Sequence, residues 1–230
     1  MNKEYLFQHT IYHVITGSTV YGLRITTSDQ DEKAIVLLPL KEIIQLGKEW
    51  ETSVFHEPDL EFHSLKKFMN LMLSQNPTVL ELLFVPESFI LKQTDYGEML
   101  RNQRYSFLSK KCYFTFGGYA KDQLMRIKKN QKVKSEQNLY KHAMHLTRLL
   151  LMGIEILQEG ELIVNRQKDY KLLIDIRNGE VSWIEFFKFI DDLFLKLEKA
   201  NNQSILPENP DLKKANDLYF SIVKEYFHLK

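Results

Sequence analysis

A glycine-serine turn followed by two closely spaced aspartates is the part of this chain best suited to chemistry. The turn is Gly17-Ser18, and Asp29 and Asp31 follow it about ten residues later. Because side chains alternate faces along a strand, aspartates at i and i+2 point the same way wherever the backbone is extended. Mg²⁺ prefers carboxylates together with substrate phosphates. The spacing therefore predicts a metal pair presented to a triphosphate, with Mn²⁺ as the alternative ion.

The composition is that of an ordinary globular protein. The 230 residues are 44% hydrophobic and 27% charged, which is enough for a substantial core. The single cysteine, Cys112, excludes an internal disulfide framework. No apolar run approaches the roughly 18 residues that span a bilayer, and the first residues do not lead into a signal-peptide core. We therefore expect a cytoplasmic protein with no membrane partner.

Charge is distributed unevenly along the chain. Residues 1–64 carry 10 acidic and 5 basic side chains, whereas residues 101–134 carry 1 acidic and 10 basic ones. This pattern predicts a metal-binding region first and an anion-binding surface second. The alternative is that four lysines of the basic segment form only a solvated helix end or loop. These lysines are Lys128, Lys129, Lys132 and Lys134.

The pattern of apolar residues changes from strand-like to helical along the chain. Residues 11–16 and 33–38 are β-rich runs, and residues 59–63 alternate polar and apolar side chains before Ser64, a typical helix N-cap. Beyond about residue 94 the helical period dominates. We therefore predict an α+β fold, with a small mixed-sheet core followed by a mostly helical C-terminal region.

Several short motifs occur in a characteristic order. In the first half they are Gly17-Ser18, Tyr21-Gly22, Ser28-Asp29-x-Asp31 and Asn76-Pro77-x-x-x-Glu81-Leu82-Leu83-Phe84. In the second half they are Lys141-x-Ala143-x-His145-x-x-Arg148-Leu149, Glu159-Gly160 and Ile176-Arg177-x-Gly179-Glu180. The ordered set resembles the polymerase-beta-like nucleotidyltransferases associated with RNA repair. The chain departs from that pattern at Thr19-Val20 and at Glu32-Lys33-Ala34, and Glu32 is a candidate extra carboxylate near the metal pair.

The resemblance implies transfer of a nucleoside monophosphate from an NTP to an acceptor hydroxyl, with release of pyrophosphate. Two metal ions in such sites lie about 3.5–4 Å apart and clamp the attacking and leaving oxygens. Asp29 and Asp31 are then the bridging carboxylates. The third comes from a neighbouring strand, where Asp59 is the first choice and Glu61 the second, since their i, i+2 spacing points both to one face.

Phosphate-binding residues are predicted in both halves of the chain. Gly17 and Ser18 can hold the β- and γ-phosphates through backbone and hydroxyl donors. Lys121, and three residues at i, i+4 and i+7 on one helix face, are predicted to reach phosphate oxygens of the NTP or the acceptor. The three are Lys141, His145 and Arg148. Residues 1–93 are thus the predicted catalytic core, and residues 94–230 the predicted nucleotide- and acceptor-binding region.

The acceptor remains open between two chemistries. An RNA end is suggested by the resemblance and the basic segment, but a protein hydroxyl fits the same site, as in an antitoxin-like transferase that modifies a partner protein. A third reading is a catalytically silent module that binds nucleotide or RNA without releasing pyrophosphate, because Glu32 and the altered turn impair metal binding.

Overall fold

The computed structural model describes residues 1–26, 28–47, 49–56, 59–130 and 135–229. Contacts divide the chain into two units. Unit 1 comprises Met1–Ser74, Thr78–Phe107 and Asp211–Lys230, and unit 2 comprises Gln75–Pro77 and Leu108–Pro210. The predicted functional boundary between residues 93 and 94 coincides with none of the places where the chain passes from one unit to the other. Residues 94–107 and the last helix belong to unit 1. As a statement about function, that boundary stays a prediction.

The described part of unit 1 is built on a mixed sheet of five strands. They are β1 Thr10–Thr16, β2 Asp31–Val36, β3 Thr52–His56, β4 Asp59–Ser64 and β5 Ile90–Gln93. The strand order is β3-β4-β2-β1-β5. Neighbours are antiparallel except for β2 and β4, which are parallel. The predicted strands at 11–16, 33–38 and 59–63 are confirmed with small shifts of their ends.

Unit 1 also contains helices, several of which contact strands of the sheet. They are α1 Lys3–Gln8, α2 Gly17–Tyr21, α3 Leu40–Ile44, α4 Leu65–Leu73, α5 Pro77–Leu80, α6 Asp95–Asn102 and α11 Leu212–Tyr226. Short 3₁₀ turns are Glu81–Phe84, Glu87–Phe89 and Arg104–Phe107. Helix α4 begins where expected, because the Ser64 hydroxyl accepts a hydrogen bond from the Lys67 amide at 3.1 Å.

One face of the sheet carries the apolar residues that alternate with the predicted site residues. Ala34 and Val36 of β2 and Leu60 and Phe62 of β4 are buried together, and Leu6 of α1 covers them. Asp31 and Lys33 of β2, and Asp59 and Glu61 of β4, have the opposite parity. Since successive side chains point to opposite faces, the buried set fixes the direction of the charged set.

The described residues of unit 2 form helices joined by loops, with no strand among them, as predicted for the C-terminal region. Its helices are α7 Cys112–Asn130, α8 Glu136–Glu159, α9 Tyr170–Asn178 and α10 Trp183–Gln203, with a 3₁₀ turn at Gln167–Asp169. Gly160 ends α8 in the left-handed conformation, with φ 67°. Ser182 and Glu185 form a reciprocal capping box at the start of α10. No helix in the described ranges is both long and apolar enough to cross a membrane.

A buried ion-pair network joins α8 of unit 2 to the segment that follows it. The Arg166 side chain is fully buried, and its two terminal nitrogens donate to the two carboxylate oxygens of Glu155 at 2.5 and 2.6 Å. Asp169 accepts a further hydrogen bond from the same guanidinium, and Lys168 pairs with Glu155 at 2.7 Å. The charge of Arg166 is therefore compensated inside the unit.

Candidate active site

Asp31 and Asp59 are direct neighbours in the sheet of unit 1. They are cross-strand partners at the start of the parallel strands β2 and β4, so their side chains leave the sheet on the same face. On its other side, Asp31 is the partner of Thr16, the last residue of β1. Both aspartates are partly buried. The register therefore brings together one carboxylate of the predicted pair and the first-choice third carboxylate.

Gly17 lies against the carboxylate of Asp31. Its φ is 68°, a left-handed conformation that favours glycine. A Cβ added to Gly17 would lie 2.2 Å from Oδ2 of Asp31, far inside van der Waals contact. The missing side chain thus leaves the space that the Asp31 carboxylate occupies. Ser18 follows in the first turn of α2, where it is partly buried.

A buried side-chain hydrogen bond holds the short helix α2, which begins with the glycine-serine turn. The hydroxyl of Tyr21 donates a buried hydrogen bond of 2.5 Å to Oε1 of Glu81. Glu81 is 4% exposed and belongs to the motif that starts at Asn76. The contact therefore connects two of the motifs noted in the sequence and restrains the helix that carries Ser18.

Asp29 is placed differently from the prediction that an extended strand carries both aspartates. Strand β2 begins at Asp31, and Asp29 is an exposed residue of the preceding loop. The argument from strand alternation therefore does not apply to Asp29. Within the described ranges, no group of three or more His, Cys, Asp or Glu side chains is arranged to hold a metal ion. Strand register thus places Asp31 beside Asp59. Asp29 lies in the loop before β2, so strand pairing does not place it beside them.

Glu61 shares the face of Asp59 but is engaged by basic neighbours. Its Oε2 pairs with Nζ of Lys33 at 2.9 Å, and its Oε1 lies 3.5 Å from Nε2 of His63. Burial acts to raise the pKa of Glu61, but the Lys33 ammonium and His63 outweigh it and hold that pKa below its usual value. Burial lowers the pKa of His63 to about 4. Glu61 is therefore the less available of the two third-carboxylate candidates, and Lys33, which spacing did not single out, explains why.

Glu32 lies on the opposite face of the sheet from Asp31 and does not join the carboxylate pair. It accepts hydrogen bonds from Gln30 at 2.7 Å and pairs with Nε2 of His13 at 2.8 Å. Burial lowers the pKa of His13, and Glu32 partly opposes that shift. Strand alternation, applied with Asp31 as the first strand residue, was the signal that could have excluded Glu32 as a ligand.

The three predicted phosphate-binding residues on α8 of unit 2 differ in exposure. Lys141 is exposed, His145 is partly buried, and Arg148 is 5% exposed with its Nη1 3.2 Å from Sδ of Met152. Burial, reinforced by Arg148, Lys141 and nearby cations, lowers the pKa of His145 to about 3. His145 is therefore a neutral side chain near pH 7, able to donate or accept a hydrogen bond but not to supply charge.

Lys121 contacts α10 rather than the three predicted phosphate-binding residues of α8. Its ammonium lies over the ring of Phe194 of α10, 6.0 Å from the ring centre. Of the four lysines in the basic segment, Lys128 and Lys129 are exposed in the last turn of α7. Lys132 and Lys134 lie outside the described residues. The predicted roles of all these cations stay predictions.

Comparison with known proteins assigns the chain to a family. A profile of the RNA repair pathway DNA polymerase beta family (RlaP) matches residues 2–221, so the chain belongs to this family. The resemblance inferred from the ordered motifs is thereby confirmed, and the protein is a polymerase-beta-like nucleotidyltransferase.

No curated protein matches the chain in sequence. Among solved structures, the chain is similar to a nucleotidyltransferase-like protein from Exiguobacterium sibiricum 255-15, with 14% identity and a TM-score of 0.31. The match covers 97% of this chain and 77% of the other.

Proposed function

We propose that the protein transfers a nucleoside monophosphate from an NTP to the hydroxyl of an RNA end, at a Mg²⁺ site held by Asp31 and Asp59. Asp29 completes the site from the preceding loop when nucleotide binds. The observation that carries this proposal is the in-register pairing of Asp31 with Asp59, together with Gly17, whose missing side chain leaves room for the Asp31 carboxylate.

The donor set fits a hard divalent cation. Two carboxylates directly opposite each other on neighbouring strands repel one another, and a bound cation converts that repulsion into attraction. A Mg²⁺ ion held by these carboxylates, or Mn²⁺ in its place, would supply charge neutralisation for the transferring phosphoryl group. A side chain at position 17 would displace the Asp31 carboxylate, so glycine at this position lets that carboxylate keep its place in the proposed cation site.

The chain's own residues then position the reactants. The backbone at Gly17 and the Ser18 hydroxyl hold the terminal phosphates of the NTP, and the contact between Tyr21 and Glu81 keeps α2 in place. The acceptor oxygen forms a bond to the α-phosphorus, and the bond from that phosphorus to pyrophosphate breaks. The proton of the acceptor hydroxyl leaves to solvent. Positioning of this kind is the main protein contribution to phosphoryl transfer.

RNA as the acceptor is supported by the family and by charge. The family is associated with RNA repair, and residues 101–134 carry a large basic excess. Lys121, Lys141, His145 and Arg148 are assigned contacts with phosphate oxygens, of which the exposed Lys121 and Lys141 are the most accessible. Backbone phosphates are the usual source of sequence-independent affinity for nucleic acid.

A transfer assay tests the proposal directly. The full chain is incubated with Mg²⁺, each of the four α-labelled NTPs, and RNA oligonucleotides with free or blocked 3′ hydroxyls, and pyrophosphate release is followed. We expect label on the unblocked RNA and its loss in Asp31→Ala. Asp192→Ala is the matched control, because Asp192 is an exposed aspartate paired with Lys196 on α10.

Three outcomes separate the readings. Equal labelling by Asp31→Ala and Asp192→Ala would overturn the assignment of the site. Binding of NTP without any pyrophosphate release would indicate the silent module. Loss of activity in Asp59→Asn but not in Glu61→Gln is expected if Asp59 is the third carboxylate, and the reverse pattern would transfer that role to Glu61.

A further inference from the structure

A groove lies between α7 and α10 of unit 2. Of the residues that line it, only Lys121 is also placed in the transfer reaction. Its volume is about 460 Å³, within the usual range of small-molecule sites. Tyr113, Phe114, Gly118 and Lys121 line it from α7, and Asp191 and Phe194 are among those that line it from α10. The α7 residues recur at helical spacing and so form one continuous wall.

Gly118 lies at the floor of this groove, and close packing does not require a glycine at this position. It lies inside the helix Cys112–Asn130, where glycine is unfavourable relative to alanine. A Cβ added at Gly118 would meet nothing within 4 Å, whereas one added at the adjacent Gly117 would meet Leu197 at 3.3 Å. Close packing therefore explains Gly117 but not Gly118. An accessible stretch of bare backbone remains at the second position.

Aromatic rings border the open floor. Phe114 is 70% exposed, which is unusual for a phenylalanine, and Tyr113 packs edge-on against it at 5.0 Å. Phe194 lies on the α10 side, and the nearby Leu195 is 65% exposed. Exposed apolar surface of this kind, collected around one concavity, is typical of a ligand site. A flat ring can stack on Phe114 while resting on the bare helix backbone.

The polar groups of the groove are of two kinds. Asp191 and Glu198 supply carboxylate acceptors, and Lys121 supplies an ammonium held near the Phe194 ring. Carboxylates accept hydrogen bonds from amino and ring N–H groups, and an ammonium binds phosphate oxygens. A nucleotide carries a flat ring, N–H donors and a phosphate together. An apolar helix of another protein would leave the two carboxylates and the lysine without partners.

We propose that this groove binds a nucleobase, stacked on Phe114 above Gly118, with its N–H donors toward Asp191 and Glu198 and its phosphate toward Lys121. The base belongs either to a free nucleotide or to an unpaired stretch of RNA, which share this chemistry. Adenine, cytosine and guanine present an exocyclic amino group to such carboxylates, whereas uracil offers only its ring N3–H. The proposal does not depend on the transfer reaction, since binding alone satisfies it.

Equilibrium binding by the full chain tests the groove. The probes are AMP, fluorescein-labelled oligo(A) and fluorescein-labelled oligo(U), all in EDTA so that no transfer takes place. We expect Phe114→Ala and Gly118→Leu to weaken binding of AMP or oligo(A) by about 5-fold or more, the scale of one lost base–aromatic stack. Oligo(U) should bind more weakly than oligo(A) to the unsubstituted protein. Phe220→Ala removes an exposed phenylalanine of α11 in unit 1 and is the matched control.

Gly118→Leu also separates a blocked groove from a damaged fold. Leucine is the better helix former, so the melting temperature should stay level or rise while the affinity falls. A loss of AMP affinity alone identifies a free nucleotide as the ligand, and a loss of oligo(A) affinity identifies single-stranded RNA. Unchanged dissociation constants in both variants, or no binding of either probe, would overturn the proposal. So would unchanged binding with altered self-association in Phe114→Ala, which would make the groove an interface between copies.

Discussion

The two units treat their carboxylates in opposite ways. In unit 1, Asp31 and Asp59 are like charges placed side by side and only partly buried. In unit 2, Glu155 is held by the fully buried Arg166, so opposite charges are paired away from water. Like charges opposite each other on a sheet are destabilising, whereas the partners of a buried ion pair neutralise each other, and removing either one leaves an uncompensated buried charge. The first arrangement therefore indicates a ligand site and the second a structural one.

Breaking the buried pair of unit 2 should have the largest effect on stability. Arg166→Met leaves Glu155 without its guanidinium partner, and we expect a loss of about 3–5 kcal/mol in the free energy of unfolding. At roughly 2–4 °C per kcal/mol for a chain of this size, the melting temperature should fall by about 10 °C. Lys171→Ala, which breaks an exposed pair with Asp175, serves as the control. Similar melting temperatures for the two variants would remove the contrast between the units.

Acid should weaken the fold through His145. The folded protein keeps this side chain neutral because its pKa is lowered to about 3, while the unfolded chain takes up the proton near the ordinary value of 6.5. Below pH 6.5 the unfolded state therefore binds more protons, so the free energy of unfolding falls as the pH drops. We expect His145 to account for about 3 kcal/mol between pH 6.5 and 4.

Denaturant unfolding across that pH range measures the effect of His145. His145→Gln should flatten the pH dependence, and His228→Gln, at an exposed histidine of unit 1, should not. If the two variants and the unsubstituted protein show the same pH profile, burial of His145 has no energetic consequence.

Gly17→Ala should separate the cost of backbone strain from the cost of a steric collision at the glycine-serine turn. Any side chain at φ 68° is strained by about 1–2 kcal/mol, and here the new methyl also collides with Asp31. Gly160→Ala carries the same backbone strain at φ 67°, but its nearest neighbour, Leu206, is 3.8 Å away. Thermal unfolding should therefore show a larger loss for Gly17→Ala, and only that variant should lose transfer activity. Equal stability losses would mean that the Asp31 contact is easily relieved.

Asp59→Asn should produce the smallest change in the free energy of unfolding. Most substitutions lower that free energy, but this one should raise it. Removing one of two neighbouring like charges is expected to stabilise the fold by about 0.5 kcal/mol in the absence of metal. Nucleotide transfer should fall in the same variant. Denaturant unfolding in EDTA, compared with the Asp192→Asn control, measures the first effect. A clear destabilisation would indicate that the exposed contact of Asp59 Oδ1 with Nδ1 of His56, at 3.3 Å, outweighs the repulsion from Asp31.

Local signals in the sequence predicted local structure well. Ser64 acts within one helical turn and begins α4 as expected, and the Ser182–Glu185 capping box and Gly160 are local signals of the same kind at the start of α10 and the end of α8. The mixed sheet followed by helices was also predictable, because apolar periodicity changes where the architecture changes. The division into two units was not, because the last helix returns to unit 1 and such long-range packing leaves no local pattern.

The candidate site was predictable in type but not in detail. The Gly17-Ser18 turn and the spacing of Asp29 and Asp31 predicted carboxylates near a phosphate-binding turn, and the family resemblance added Asp59 as the first choice for a third carboxylate. Strand register, which decides that Asp59 rather than Glu61 lies beside Asp31, depends on pairing between strands that are distant in sequence. The engagement of Glu61 by Lys33 follows from the same register. No spacing rule along one strand could have revealed either contact.

The central position of β2 also sets the order in which the carboxylate pair is assembled during folding. Strands β1 and β2 are consecutive and antiparallel, so they can meet through a short-range connection. Strands β2 and β4 are parallel, and the chain must first pass through β3 before Asp59 reaches Asp31. Because long-range pairing forms more slowly than local pairing, we expect a folding chain to carry Asp31 in place well before Asp59 joins it. The proposed metal-dependent binding of nucleotide should therefore report on the completion of the sheet, and a half-folded chain should be chemically silent.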